Sequence, residues 1–296
     1  MDGSLSEAIP EAREVGPAPK SPAPKIRVRA MGFPFRESEV PRFWFDGSPH
    51  LTHLSNALQL LFPAGERFFI RSVKHYESRI TDPELKARIK GFYGQEGRHG
   101  HEHERFFEVL EEQGYEVDDF LRWYEHLAYE VLEQKFPPNV RLSVTAALEH
   151  FTAAMGRNAL RSDFLDLAHP VMADLMRWHA AEEIEHKSVA FDVFQEVDGR
   201  YWVRVLGLFL ALVGLTRFWA EGTKHLLREE KKHGTDLGTS ARRMRESPRM
   251  QAEGARRREM FRDAILEYLK PGFHPDQVDD YGLARGYLES IGRLEG

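Results

Sequence analysis

Two Glu-x-x-His motifs, Glu96 to His99 and Glu183 to His186, each follow a lone glutamate at a similar interval. Glu66 stands thirty residues before Glu96, and Glu149 thirty-four before Glu183. At roughly 100° per residue, a spacing of three leaves two side chains within about 60° on one helix face, so each motif can present a carboxylate and an imidazole to one point. One such motif is weak evidence, because Glu and His are common on solvated helix faces. Two copies in one plan are a stronger constraint. In each half a helix supplies a Glu, the chain turns, and an antiparallel partner supplies Glu-x-x-His, while the fifty residues from His99 to Glu149 suit a long crossover.

The rest of the chain reads in helical period, with strand-like alternation nearly absent. Leu54, Leu58 and Leu61 share a face from His53 onward, Pro63 and Gly65 interrupt, and Phe69 with Val73 resume it, which predicts a first helix broken near Pro63. Asp82-Pro83 is a helix start and Gly114 a stop, giving a second helix over about 83 to 113. A connecting helix over about 117 to 135 is expected to end at Pro137-Pro138, followed by helices near 140 to 161 and 170 to 196. The expected fold class is therefore all-α: a ferritin-like four-helix bundle, whose known ligand plan is this one, with additional C-terminal helices.

Each lone glutamate falls on an apolar stripe. Glu66 shares its face with Phe62, Phe69, Ile70 and Val73, and Glu149 with Leu142, Ala146, Thr152 and Ala153. A buried carboxylate needs a partner, either a metal or a neighbour such as Arg67 or His150. His179 precedes Glu183 by four and His186 by seven, so a third imidazole shares that arc; His103 has a similar relation to Glu96 and His99. Spacing does not choose between them. We take His179 as the added ligand and His103 as a residue that orients it.

The 296 residues include no cysteine, which excludes disulfides, thiolate zinc sites and iron–sulfur clusters. The net charge of -6 gives no reason to expect nucleic acid as a partner. Residues 1 to 26 carry five prolines among small and charged residues and are expected to form a disordered arm, with no signal-peptide pattern, so the chain reads as cytoplasmic. The bundle is expected over 27 to 200 and a helical extension over 201 to 296. Within the extension, Val205 to Leu215 is an unbroken apolar run, too short at eleven residues for a bilayer, which needs ~20. It reads as a buried fifth helix, with peripheral membrane contact as the alternative beside the arginines from Arg242 to Arg258.

The stretches Phe62-Pro63-Ala64-Gly65-Glu66-Arg67-Phe68-Phe69, Ala147-Leu148-Glu149-His150-Phe151-Thr152 and Trp178-His179-Ala180-Ala181-Glu182-Glu183-Ile184-Glu185-His186-Lys187 resemble a bacterial family labelled as metal-dependent hydrolases. The ligand order with His179, Glu183 and His186 is also similar to the arylamine N-oxygenases, in which an added histidine joins four carboxylates and two histidines. That resemblance implies a di-iron oxidoreductase, an oxidase or oxygenase, using two iron ions or manganese and iron, dioxygen, and an external electron donor, with a donor protein as a candidate partner. Phe62, Phe69, Phe92 and Phe151, within about a turn of these ligands, favour a small apolar or amphipathic substrate, and a homodimer is expected. Metal-dependent hydrolysis and non-catalytic metal binding are the alternative functions.

Overall fold

The computed structural model describes residues 24–295. The arm expected over 1–26 lies outside the described residues as far as 23. From Ile26 the chain is packed: Ile26 and Arg29 are buried, and the segment crosses the second helix where Gly94 leaves room. A Cβ at Gly94 would lie 2.3 Å from Val28 Cγ2.

Helix α1, Pro49–Lys74, starts where the Ser48 side chain accepts a hydrogen bond from the Leu51 amide and proline needs none. Helix α2, Pro83–Glu112, starts likewise on Asp82-Pro83. Helix α3, Val117–Glu125, runs into a wider π turn over His126–Leu132. Then come α4, Pro138–Arg161, and α5, Pro170–His186. They are followed by α6, Val189–Val197, α7, Tyr201–Lys232, α8, Leu237–Glu246, α9, Pro248–Tyr268, and α10, Tyr281–Ser290. The fold is an all-helical bundle, with one isolated bridge, Phe45 to Ala168, as the β pairing among the described residues.

Four readings need correction. Helix α1 continues through Pro63. The ring removes the bond to the Gln59 carbonyl, but Pro63 is buried against α2 at Gly100, and this packing outweighs the local cost. The connecting segment is not one regular helix, because the π turn widens it where Tyr129 turns inward to bond Tyr124. The segment 170–196 is two helices, divided at Lys187-Ser188, where buried Lys187 leaves the α5 path to pair with Asp280 and donates to the Val278 carbonyl at 2.7 Å. Finally, Val205–Leu215 belongs to a helix of 32 residues, long and apolar enough by length and composition to cross a membrane. It is not a buried core helix: one face, with Gly207, Leu208 and Ala211, packs on α1 and α4, while Trp202, Leu206, Phe209 and Val213 are exposed.

Helices α1 and α2 pack as a pair, as do α4 and α5, and α7 covers α1 and α4. Apolar side chains gather in two clusters along this bundle. One holds Leu60 and Ala64 of α1, Phe106 of α2 and Trp178 of α5. The other holds Phe69 and Val73 of α1, Phe92 of α2, Phe151 of α4 and Phe191 of α6. Glu66 lies between the two sets on α1, and Glu96, His99 and His103 lie between them on α2. Burial of each large apolar side chain contributes about 1.5–3 kcal/mol, which offsets the cost of enclosing a polar layer between the clusters.

Candidate metal centre

All seven residues singled out by spacing are buried, and the four helices bring them into one polar layer. Helix α1 contributes Glu66, α2 contributes Glu96 and His99, α4 contributes Glu149, and α5 contributes His179, Glu183 and His186. Three overlapping triads have ligand-capable atoms within 4.8 Å of one another: Glu66 with His99 and His179, Glu96 with His99 and Glu183, and Glu96 with Glu149 and His186. His186 Nε2 lies 3.2 Å from Glu96 and 3.3 Å from Glu149, and His99 Nδ1 lies 3.6 Å from Glu183.

The imidazoles are fixed from behind. His186 Nδ1–H donates to Gln95 Oε1 at 2.8 Å, which leaves the Nε2 lone pair facing the carboxylates. His99 Nε2–H donates to Glu182 Oε2 at 3.1 Å and turns the Nδ1 lone pair inward. Such backing selects the tautomer that a metal requires. Behind this layer, the Arg29 guanidinium donates to Glu182 at 2.9 Å and to Glu185 at 2.7 and 3.0 Å, and Gln95 Nε2 donates to Glu185 at 2.8 Å.

The inward layer is the opposite case. Both carboxylate oxygens of Glu66, Glu96 and Glu149, together with Glu183 Oε2, His99 Nδ1 and His186 Nε2, are buried without a hydrogen-bond partner. The neighbours that might have neutralised the lone glutamates point elsewhere. Arg67 pairs with Glu104 and Glu125, and His150 bonds the Ala264 carbonyl. Burial, with Glu96 and Glu183 nearby, pushes the Glu66 carboxyl well above the usual range, and burial does the same to Glu149. Burial would also raise Glu183, but His186 and His179 hold it well below its ordinary value. His186 is lifted well above the usual imidazole value, against the effect of burial, by Glu149 and Glu183. Unpaired acids around imidazoles whose lone pairs face inward fit divalent cations, which would remove the desolvation cost.

His179 and His103 occupy different places. His179 Nε2 lies 2.9 Å from Glu183 Oε1, and its Nδ1 meets His103 Nε2 at 2.7 Å. His103 therefore stands behind His179, and burial lowers its pKa well below the usual value. The Phe62 ring covers both imidazoles, with centroids 4.4 Å from His179 and 4.9 Å from His103. Spacing did not identify Gln95, Glu182, Glu185 or Arg29. A signal existed for two of them, because Gln95 and Glu182 each stand immediately before the motif glutamate. Arg29 comes from a segment without periodicity and gave none.

Two cavities reach this layer. One, of about 140 Å³, has His103, His179 and Glu183 in its wall and extends to Met260 and Phe261 of α9. The other, of about 370 Å³, includes Glu66 and Glu183 and extends between α1, the π turn, α4 and α7.

No curated protein and no solved structure shows a significant match to the chain. A family model described as predicted metal-dependent hydrolase matches residues 27–279. Hydrolysis is a different reaction class from the oxidation expected above, so the oxidoreductase reading is corrected. Carboxylate and imidazole ligands do not by themselves separate redox from hydrolytic use of a cation, and the N-oxygenase likeness rested on three ligands. With a match over most of its length, the chain belongs to the predicted metal-dependent hydrolase family.

Proposed function

We propose that this chain is a metal-dependent hydrolase in which Glu66, Glu96, His99, Glu149, His179, Glu183 and His186 hold two divalent cations. Four carboxylates balance two such charges, and the mixture of oxygen and nitrogen donors suits iron or manganese. The observation that carries the reading is the set of six carboxylate oxygens on Glu66, Glu96 and Glu149 that are buried without partners. When bound, the cations would polarise the substrate as Lewis acids and lower the pKa of water, making a nucleophile available at neutral pH.

The chain supplies the surroundings for that chemistry. Phe62, Phe92 and Trp178 pack on the imidazoles and exclude bulk water, with Trp178 meeting His99 edge-on at 4.8 Å and Phe92 meeting His186 at 5.1 Å. His103 Nδ1 is buried and unpartnered in a residue that lines the smaller cavity, so it can hold a proton there while Nε2 keeps His179 in place. The apolar cavity walls favour a substrate that is apolar or amphipathic.

The test is anaerobic reconstitution of the full chain with ferrous, manganous or zinc ion, followed by elemental analysis and assay against simple esters and amides. Metal beyond trace and hydrolysis abolished by a chelator are expected. Failure to retain metal, or hydrolysis unaffected by the chelator, would overturn the reading.

A further inference from the structure

We propose that the larger cavity is an acyl-chain site and that the substrate is a long-chain acyl ester, with its carbonyl beside Glu66 and Glu183 and its chain running outward under α7. This assignment rests on the hydrolase reading and deepens it. The cavity runs from the buried carboxylate residues Glu66 and Glu183 to Leu132 and Val213, which are exposed. Its walls between these ends are chiefly the side chains of Phe68, Phe69, Leu148, Leu215 and Phe218.

The few polar groups along this wall are already engaged. The Tyr124 and Tyr129 hydroxyls bond each other at 2.5 Å, and Tyr124 also donates to the Leu61 carbonyl at 3.3 Å. Glu133 is held by Arg71 at 2.7 Å and Arg141 at 3.5 Å. A sugar or nucleotide lying here would leave its own hydroxyls or phosphates without partners, and an aliphatic chain would not. The unpartnered polar atoms occur at the Glu66 and Glu183 end, where the bond to be cut would sit.

The mouth continues the same chemistry. Trp202, Leu206, Phe209 and Val213 follow one another at helical spacing on the outer face of α7, with Trp202 77%, Phe209 61% and Val213 49% exposed. Val213 belongs both to this stripe and to the cavity wall. A chain leaving the cavity thus meets apolar surface before it meets water. In the reaction the water oxygen bonds to the ester carbonyl carbon, and the bond from that carbon to the alcohol oxygen breaks. The proton released by the water passes to the departing oxygen, giving one acid and one alcohol with no oxidant or reductant.

The cavity can be tested apart from catalysis on metal-free full-length protein. The probe is fluorescent methyl parinarate, displaced by straight-chain alkanols from butanol to dodecanol. Burying a methylene is worth about fourfold in affinity, so displacement should strengthen by about that factor per carbon until the cavity is filled. Gly214→Phe should weaken probe binding at least tenfold while leaving the fold intact. Gly214 lines the cavity and a Cβ there meets nothing within 4 Å. Met260→Trp, in the smaller cavity, should leave probe binding unchanged. Equal displacement by butanol and dodecanol, no probe binding, or loss of binding in Met260→Trp but not in Gly214→Phe would overturn the assignment. Because the assay contains no metal and reads no turnover, those results are distinct from a failure of the hydrolase reading. Chelator-sensitive hydrolysis of short esters with no chain-length dependence would reject the acyl site alone.

Discussion

The motif helices α2 and α5 brace each other crosswise, and the two braces differ. Gln95, one residue before Glu96, holds His186 through a neutral amide; Glu182, one residue before Glu183, holds His99 through a carboxylate. The second arrangement is the more demanding one. Burial pushes the Glu182 carboxyl up to about 7 although Arg29 acts to lower it, so this half sets an ionisable group directly against the buried guanidinium, whereas Gln95 meets that guanidinium only through Glu185. A carboxylate behind an imidazole makes it a more basic ligand than an amide does. On the proposed reading the repeated plan would give two unequal metal positions, and α5 would add to the inequality by carrying His179 as well.

The largest effect is expected where groups from both halves meet. Glu149 lies within reach of His186 and in a triad with Glu96. Glu149→Ala should weaken metal retention more than about 100-fold, beyond the roughly 10–100-fold typical of groups behind the ligands. The helical content should persist, because the apolar clusters are untouched and a buried carboxyl without a hydrogen-bond partner is removed. Circular dichroism with elemental analysis checks both parts, and normal stoichiometry would remove Glu149 from the ligand set.

Arg29→Met should cost more stability than a change confined to the neutral brace. It leaves Glu182 and Glu185 buried without their counter-charge, and removing one partner of such a pair costs about 3–5 kcal/mol. Gln95→Leu, on the neutral brace, should cost about 1–3 kcal/mol, the penalty of leaving buried hydrogen-bonding groups unmet. Urea denaturation of the metal-free variants reads the difference. Equal losses would mean that the charges on Glu182 and Glu185 carry no special cost. Glu182→Gln is the milder change, keeping shape while making the braces alike. It should lower metal affinity about 10-fold, and titration that still resolves two unequal sites would assign their difference to His179 instead.

How much of this arrangement could be read from the chain depends on the range of the interactions. The Glu-x-x-His pairs are local: three residues of helix set their geometry, so Glu96 with His99 and Glu183 with His186 are legible from periodicity. The burial of Glu66 and Glu149 is legible too, from the apolar residues on their stripes. The braces are not, because Gln95 and Glu182 act across 91 and 83 residues, and only the fold brings those partners together. Arg29 is the extreme case, reaching α5 from a segment with no regular structure of its own. Pro63 misled for the same reason: its local cost is visible in sequence, and the Gly100 contact that outweighs it is not. The exposed stripe on α7 was hidden because an apolar run shows hydrophobicity without showing which face is covered.

The smallest effect on metal retention is expected from the residue that most distinguishes the α5 half. His179 presents Nε2 to Glu183, and His103 holds its other nitrogen from behind. If His179 is a ligand, its loss lowers the coordination number of one cation without changing the charge of the site, and the remaining six groups still retain metal. His179→Ala should therefore keep close to normal stoichiometry but lose much of its hydrolytic turnover. Stoichiometry and turnover alone do not separate a ligand from a hydrogen-bonding residue, so the decisive readout is coordination number. In cobalt-substituted protein the visible ligand-field bands should change in intensity and position for His179→Ala and stay near wild type for His103→Ala, since the latter removes only the support. Unchanged bands in His179→Ala would make that imidazole a hydrogen-bonding neighbour of Glu183. A change confined to His103→Ala would move the added ligand to α2 and reverse the proposed inequality between the halves. A structure of the loaded protein gives the same answer in distance, with roughly 2.0–2.1 Å expected for a bound imidazole nitrogen, taking zinc as the guide.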